Sequence, residues 1–201
     1  MPDPRRFGWK IVILLLFSTP SSGDSPGFVN VSRAAGIEFS HVNGSTGRYY
    51  PPEVNGGGLA AFDYDGDGWV DLYVVNGSAL PGYKGEGIAV NHLFKNIDGK
   101  RFSNRTREAL VGDTGYGMGC TVGDYDNDGD LDLYVSNFGA NVLYRNEGDG
   151  TFGNVTDAAG VGDESWGGGC AFADYDGDGD LDLYVANYVN YHLEQSTEGL
   201  S

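Results

Sequence analysis

From residue 56 onward one order of apolar and polar positions keeps returning: a run of small residues, a burst of aspartate, then an alternating apolar stretch. "GGGLAAF" from Gly56, "GMGCTVG" from Gly117 and "GGGCAFA" from Gly167 each enter an acidic loop, and "DLYV" from Asp71, Asp132 and Asp182 leaves it. Period-two alternation puts successive side chains on opposite faces of a strand, so each loop reads as the turn between two strands. Leu93-Phe94 and Leu143-Tyr144 then mark a third strand. An Asp-Gly or Gly-Asp-Gly turn leads into a fourth, starting at Phe102 or Phe152. Helix has little place in this pattern.

The pattern is a repeat. "HLFKNIDGKRFSNRT" from His92 aligns with "VLYRNEGDGTFGNVT" from Val142, 50 residues later, and the acidic loops at Asp124 and Asp174 are also 50 residues apart. Between the loops at Asp63 and Asp124 the spacing is 61, and the surplus of 11 falls in the Gly-rich "GSALPGYKGEGIAV", an insertion of the kind surface connections tolerate. Four short strands per unit of this length, repeated radially, predict an all-β β-propeller built from four-stranded blades. The Gly and Ala content of the first strand agrees, because innermost strands crowd around a central channel where large side chains clash. "FVNVSRAAGI" from Phe28 matches "FSNRTREALV" and "FGNVTDAAGV", so the chain holds the last strand of one blade, two full blades and the opening strands of another. Propellers close with about four to eight blades. The expectation is therefore a partial ring, a fragment of a longer protein in which the Phe28 strand completes the closing blade.

Composition adds where the protein works and what it attracts. Acidic residues number 29 against 12 basic, for a formal charge of −17, which repels nucleic acid and anionic membranes and attracts cations. At the N-terminus, Arg5, Arg6 and Lys10 precede the apolar run Ile11 to Phe17, and small residues follow in "STPSSGD". That order predicts a signal peptide over residues 1–23, leaving 24–201 as the propeller segment in a secreted, periplasmic or extracellular setting. The run is too short for a membrane span, which needs about 18 to 20 apolar residues. Arg5-Arg6 fits a twin-arginine leader as well as an ordinary basic one.

The acidic loops carry the chemistry. Counted from the first Asp, side-chain oxygens fall at positions 1, 3, 5 and 9, Gly stands at position 6, and position 7 offers its carbonyl. In the first loop these are Asp63, Asp65, Asp67, Gly68, Trp69 and Asp71; in the second Asp124, Asp126, Asp128, Gly129, Asp130 and Asp132; in the third Asp174, Asp176, Asp178, Gly179, Asp180 and Asp182. Two carboxylates about 4 Å apart repel by roughly 4 kcal/mol near a protein surface, so a cation is required. Calcium takes hard oxygen ligands in flexible geometry, and the first seven positions follow an EF-hand loop. Position 12 is Val74, Val135 or Val185, which excludes an ordinary EF-hand, and the position-9 Asp closes the coordination instead. Position 7 varies among the three copies while 1, 3, 5, 6 and 9 do not, as expected if only its main chain meets the ion. About three Ca²⁺ sites follow.

D-x-D-x-D-G-x-x-D-L after a small-residue strand resembles the FG-GAP repeats of integrin α-subunit propellers and the VCBS repeats of bacterial secreted proteins. "GGGLAAFDYDGDGWVDLYVVNG", "LYRNEGDGTFGNVTDAAGVGD" and "FVNVSRAAGIEFSHVNG" look like the cartilage acidic protein family, over nearly everything from Phe28 to Asn190. The resemblance implies side-chain calcium ligands at the twelve Asp of positions 1, 3, 5 and 9, carbonyl ligands at Trp69, Asp130 and Asp180, and a role in binding or adhesion. An extracellular protein or glycan is the implied partner.

Other features weigh less. Cys120 and Cys170 stand at equivalent positions of neighbouring innermost strands, where Leu59 stands in the first copy, and read as packing residues with a disulfide as the alternative. Of five N-x-S/T sequons, those at Asn30, Asn104 and Asn154 share one repeat position, while Asn43 and Asn76 do not; a strand pattern that spells a sequon is the plain explanation. "GGGLAA" mimics a dinucleotide fingerprint, but an Asp-rich turn follows where a helix is required. His41, His92 and His192 are scattered, and no G-x-S-x-G or H-E-x-x-H occurs, so no enzyme is expected. Two rival readings remain open: a carbohydrate-active propeller of the polysaccharide-lyase kind and a purely structural matrix protein.

Overall fold

Each small-residue strand pairs antiparallel with the apolar strand beyond its acidic loop, and three sheets follow one another along the chain. The computed structural model describes residues 27–191 and residue 193. The expected signal peptide, its basic residues and His192 lie outside the described residues. The first sheet has four strands in sequence order, β1 (Gly58–Phe62), β2 (Asp71–Val75), β3 (His92–Asn96) and β4 (Phe102–Asn104). The second comprises β5 (Tyr116–Gly123), β6 (Asp132–Asn146) and β7 (Phe152–Asn154), and the third β8 (Gly167–Ala173) and β9 (Asp182–Asn187).

β6 supplies two of the four predicted strands. Fully extended, its 15 residues would span roughly 50 Å, yet the Asn146 N–H donates to Asp132 Oδ1 at 2.8 Å, so its two ends meet. The chain reverses near Gly139, at φ 109°, and the Asn137 N–H donates to Asn141 Oδ1 across the reversal. Asn76 and Asn91 staple the corresponding connection in the first sheet at 2.7 Å.

The sheets are blades stacked face to face. Period-two alternation turns Leu72 and Val74 toward Ala35, Ile37, Phe94 and Phe102, whereas Tyr73 and Val75 face Leu133 and Val135 of the next blade with Ala109, Val111 and Phe152. Tyr184, the repeat equivalent of the fully buried Tyr73 and Tyr134, is 71% exposed, because no further blade covers its face among the described residues. Innermost strands approach closely: a Cβ on Gly119 would lie 3.1 Å from the Gly168 carbonyl oxygen, and one on Gly58 3.0 Å from Gly119 Cα. That crowding is the physical reason for the small residues there. The result is an all-β arc of propeller blades.

The Phe28 stretch behaves differently from a regular strand. Phe28 and Val29 are exposed and lie outside the named strands. What does recur is the turn that follows, because the Phe102 N–H donates to the Ala35 carbonyl just as the Phe152 N–H donates to that of Ala109, stitching each blade to the one before.

The shared sequons are turns. Asn104 Oδ1 accepts from the N–H and hydroxyl of Thr106, whose Oγ1 accepts in turn from the buried Leu93 N–H at 2.9 Å. Asn154, Thr156 and Leu143 repeat this arrangement. Thr156→Val keeps the shape but leaves the Leu143 N–H unpaired, so urea unfolding is expected to show a loss of about 1–3 kcal/mol. Cys120 and Cys170 are thiols that burial pushes up, to about 12 for Cys120, which agrees with packing residues.

Candidate metal centres

Each acidic loop is shaped by its own carboxylates. Asp63 accepts from the N–H groups of Asp67 (3.2 Å) and Gly68 (2.7 Å); Asp124 does the same for Asp128 and Gly129, and Asp174 for Asp178 and Gly179. Asp67, Asp128 and Asp178 each accept from the N–H of position 7 at 2.9 Å. Curling the loop this tightly requires left-handed backbone at two positions. Gly68, Gly129 and Gly179 hold position 6 at φ 85°, 98° and 99°, as expected for the sharp turn. Position 4 also needs it: Gly66, Asn127 and Gly177 lie at φ 69°, 59° and 79°. Asn is the side chain that best tolerates this region, so Gly, Asn, Gly at position 4 was a readable signal that ligand counting passes over.

The loops bring together three carboxylates apiece. Oxygens of Asp63, Asp65 and Asp71 lie within 4.8 Å of one another, as do those of Asp124, Asp126 and Asp132, and those of Asp174, Asp176 and Asp182. Asp67, Asp128 and Asp178 stand outside these groups. The position-7 side chains point elsewhere: Trp69 covers Gly99, Asp130 approaches Gly148, and Asp180 accepts from Asn127 of the neighbouring loop at 2.8 Å.

The position-9 aspartates are also structural. Asp71 is fully buried; its Oδ2 accepts from the Tyr64 N–H at 3.1 Å and its Oδ1 from the Asn96 N–H at 2.6 Å, tying the loop to β3. Asp132 repeats this with Tyr125 and Asn146, and the Asn146 side chain donates to the Tyr64 carbonyl of the preceding blade. Asp182 keeps the Tyr175 bond and is exposed. Burial raises Asp71 and Asp132 to about 6 despite their N–H donors, with the neighbouring carboxylates adding to the rise.

Sequence reading missed one further group. The Lys95 ammonium, carried by β3, pairs with Asp65 and sits 2.9 Å from Asp67 Oδ2. Asp65 in turn holds the Lys95 ammonium above its ordinary value, and Lys95 lowers Asp67. In the second loop, burial and Asp128 raise Asp126 instead.

This donor set fits a hard divalent cation. All clustered groups are carboxylates, an ammonium already stands against one of them, Asp65, and Asp65 Oδ1 is shut off from solvent without a hydrogen-bond partner. Among the described residues, His41 and His92 join no such cluster. His92 packs against Phe39 and Phe94, His41 is half-buried, and burial lowers both.

A model of the FG-GAP-like repeat matches the chain over residues 63–135 and 124–185, a span that takes in all three acidic loops. No curated protein matches the chain.

Proposed function

We propose that this chain, which belongs to the FG-GAP-like repeat family, is an exported, calcium-stabilised binding or adhesion module of the cartilage acidic protein type. The observation that carries the reading is the threefold convergence of carboxylates at one loop of each blade. Asp63, Asp65 and Asp71, Asp124, Asp126 and Asp132, and Asp174, Asp176 and Asp182 are the core ligands, with the position-5 aspartates and position-7 carbonyls completing each set. Bound calcium supplies the positive charge that lets these groups stay together, and so holds the hairpin between the two inner strands closed.

The opposite rim, where Tyr191 packs on Phe138 and Trp166, is the proposed ligand face. Antiparallel pairing of Tyr116 with Phe138 puts the start of β5 and the reversal of β6 at the far end from the acidic loops, and Trp166 and Tyr188 gather there with Phe138. An extracellular protein or glycan is the proposed partner. Among the described residues no helix is long and apolar enough to cross a membrane.

Calorimetric titration of the chain with calcium tests this. About three ions are expected to bind near neutral pH. Asp71 and Asp132 carry protons in the metal-free fold below about 6, so calcium has to displace them, and affinity at the first two loops is expected to fall as pH drops through 6. Absence of calcium uptake by folded protein overturns the reading. A glycan and matrix-protein array then separates a binder from an inert scaffold.

A further inference from the structure

The three loops share a ligand pattern, but their surroundings differ at one place. Lys95 and Arg145 occupy the same repeat position, one residue before the Asn that ties the third strand to the position-9 aspartate. Lys95 turns into the first loop, against Asp65 and Asp67. Arg145, beside the second loop, pairs with Glu147 instead: its guanidinium donates to Glu147 Oε1 at 2.8 Å and Oε2 at 2.9 Å, and Asp126 feels it only at longer range. The cause is two residues further on. Where the second blade has Glu147, the first has Ile97, which carries no charge, so the aspartates of the loop are the partners Lys95 takes. The first loop is also poorer in charge, with Trp69 where the second has Asp130.

We infer that Lys95 is a resident counter-ion that makes the first loop a displacement site, which calcium fills only by driving the ammonium off Asp65 and Asp67. The inference rests on the calcium reading above and adds a ranking to it. The loops fill in order, the second before the first, and the first loop binds about tenfold more weakly, the scale of a small, partly screened ion-pair network. Before calcium arrives, the ammonium holds the first hairpin together. The first loop is then the one whose occupancy follows calcium concentration in the range where the second is already full.

Trp69 makes the first loop observable by itself. It is the tryptophan at position 7 of an acidic loop, whereas Trp166 lies at the opposite rim. Terbium substitutes for calcium, and its emission excited through tryptophan therefore reports the first loop, while calorimetry with calcium reports all of them. In the wild-type chain, tryptophan-excited emission is expected to saturate only after most of the terbium uptake seen by calorimetry is complete. Lys95→Met is expected to lower the half-saturating terbium concentration of the tryptophan signal about tenfold. Ile97→Glu, which recreates the Glu147 partner and draws Lys95 away, is expected to do the same, and to add little in the Lys95→Met background. Glu147→Ile is expected to weaken the second loop by releasing Arg145. If Lys95→Met and Ile97→Glu leave the tryptophan signal unmoved while about three calcium ions still bind, the displacement inference is overturned and the calcium reading stands. If neither calcium nor terbium binds in any variant, the calcium reading itself falls.

Discussion

Chelating calcium is expected to lower the melting temperature by roughly 20 °C. A ligand present at a hundred times its dissociation constant stabilises the folded state by about 2.7 kcal/mol, and three such sites supply roughly 8 kcal/mol. For a domain of this size each kcal/mol moves the midpoint by about 2–4 °C. The effect is large because removal of the ion does two things at once: it deletes binding energy and leaves three carboxylates within 4.8 Å of one another in every loop. Lys95 offsets part of this in the first loop, so hydrogen exchange in chelator is expected to accelerate most in the hairpins of the second and third loops. Differential scanning calorimetry with calcium, with chelator and with magnesium checks the result. Magnesium should restore little, since it demands stricter octahedral geometry and gives up its waters reluctantly. A midpoint indifferent to chelator would mean that the loops are held by their internal hydrogen bonds alone.

Asp132→Ala is expected to cost about 4 kcal/mol in chelator near pH 4.5, because two N–H groups, that of Asn146 buried and that of Tyr125 partly buried, lose their acceptor together. The low pH matters. With its folded value near 6, Asp132 binds a proton in the fold more readily than in the unfolded chain, so it contributes stability that is complete below the unfolded value and lost as pH rises through 6. At pH 7.5 the metal-free wild type has already lost that contribution, and the measured difference between wild type and variant should shrink. Asp182→Ala serves as the comparison within the same chain: its carboxylate is exposed and retains the Tyr175 bond, so a loss below about 1 kcal/mol is expected. Urea melts of the two variants at both pH values check the ranking. Equal costs would show that burial and the Asn146 bond add nothing to what Asp132 contributes to the fold.

The contrast between these two aspartates shows where sequence reading stops. Asp132 and Asp182 stand in nearly identical dodecapeptides, "DYDNDGDLDLYV" and "DYDGDGDLDLYV". They differ in exposure and partners because Asn146 reaches one from the far end of β6, whereas the other has no such neighbour among the described residues. The asparagine was itself legible as a repeat, in "LFKN" and "LYRN", but nothing local says that its N–H meets a carboxylate 14 residues back. The sequons behave the same way: Asn104 and Asn154 recur visibly, and only the third dimension makes Thr106 and Thr156 the partners of Leu93 and Leu143.

By itself, the amino-acid order determined the strand succession, the repeat length, the all-β class and the acidic loops with their Gly at position 6. These follow from interactions within a few residues, where period-two alternation and backbone sterics leave one conformation open. The tertiary structure decided which carboxylates converge, which are buried and which meet a cation. Positions 1, 3 and 9 close together while position 5 caps the loop backbone, and Lys95 pairs within one loop while Arg145 beside another pairs with Glu147. Those outcomes depend on the register between strands and on the charge of a neighbour across the turn, and a Coulomb interaction is governed by distance through space, whatever the separation along the chain.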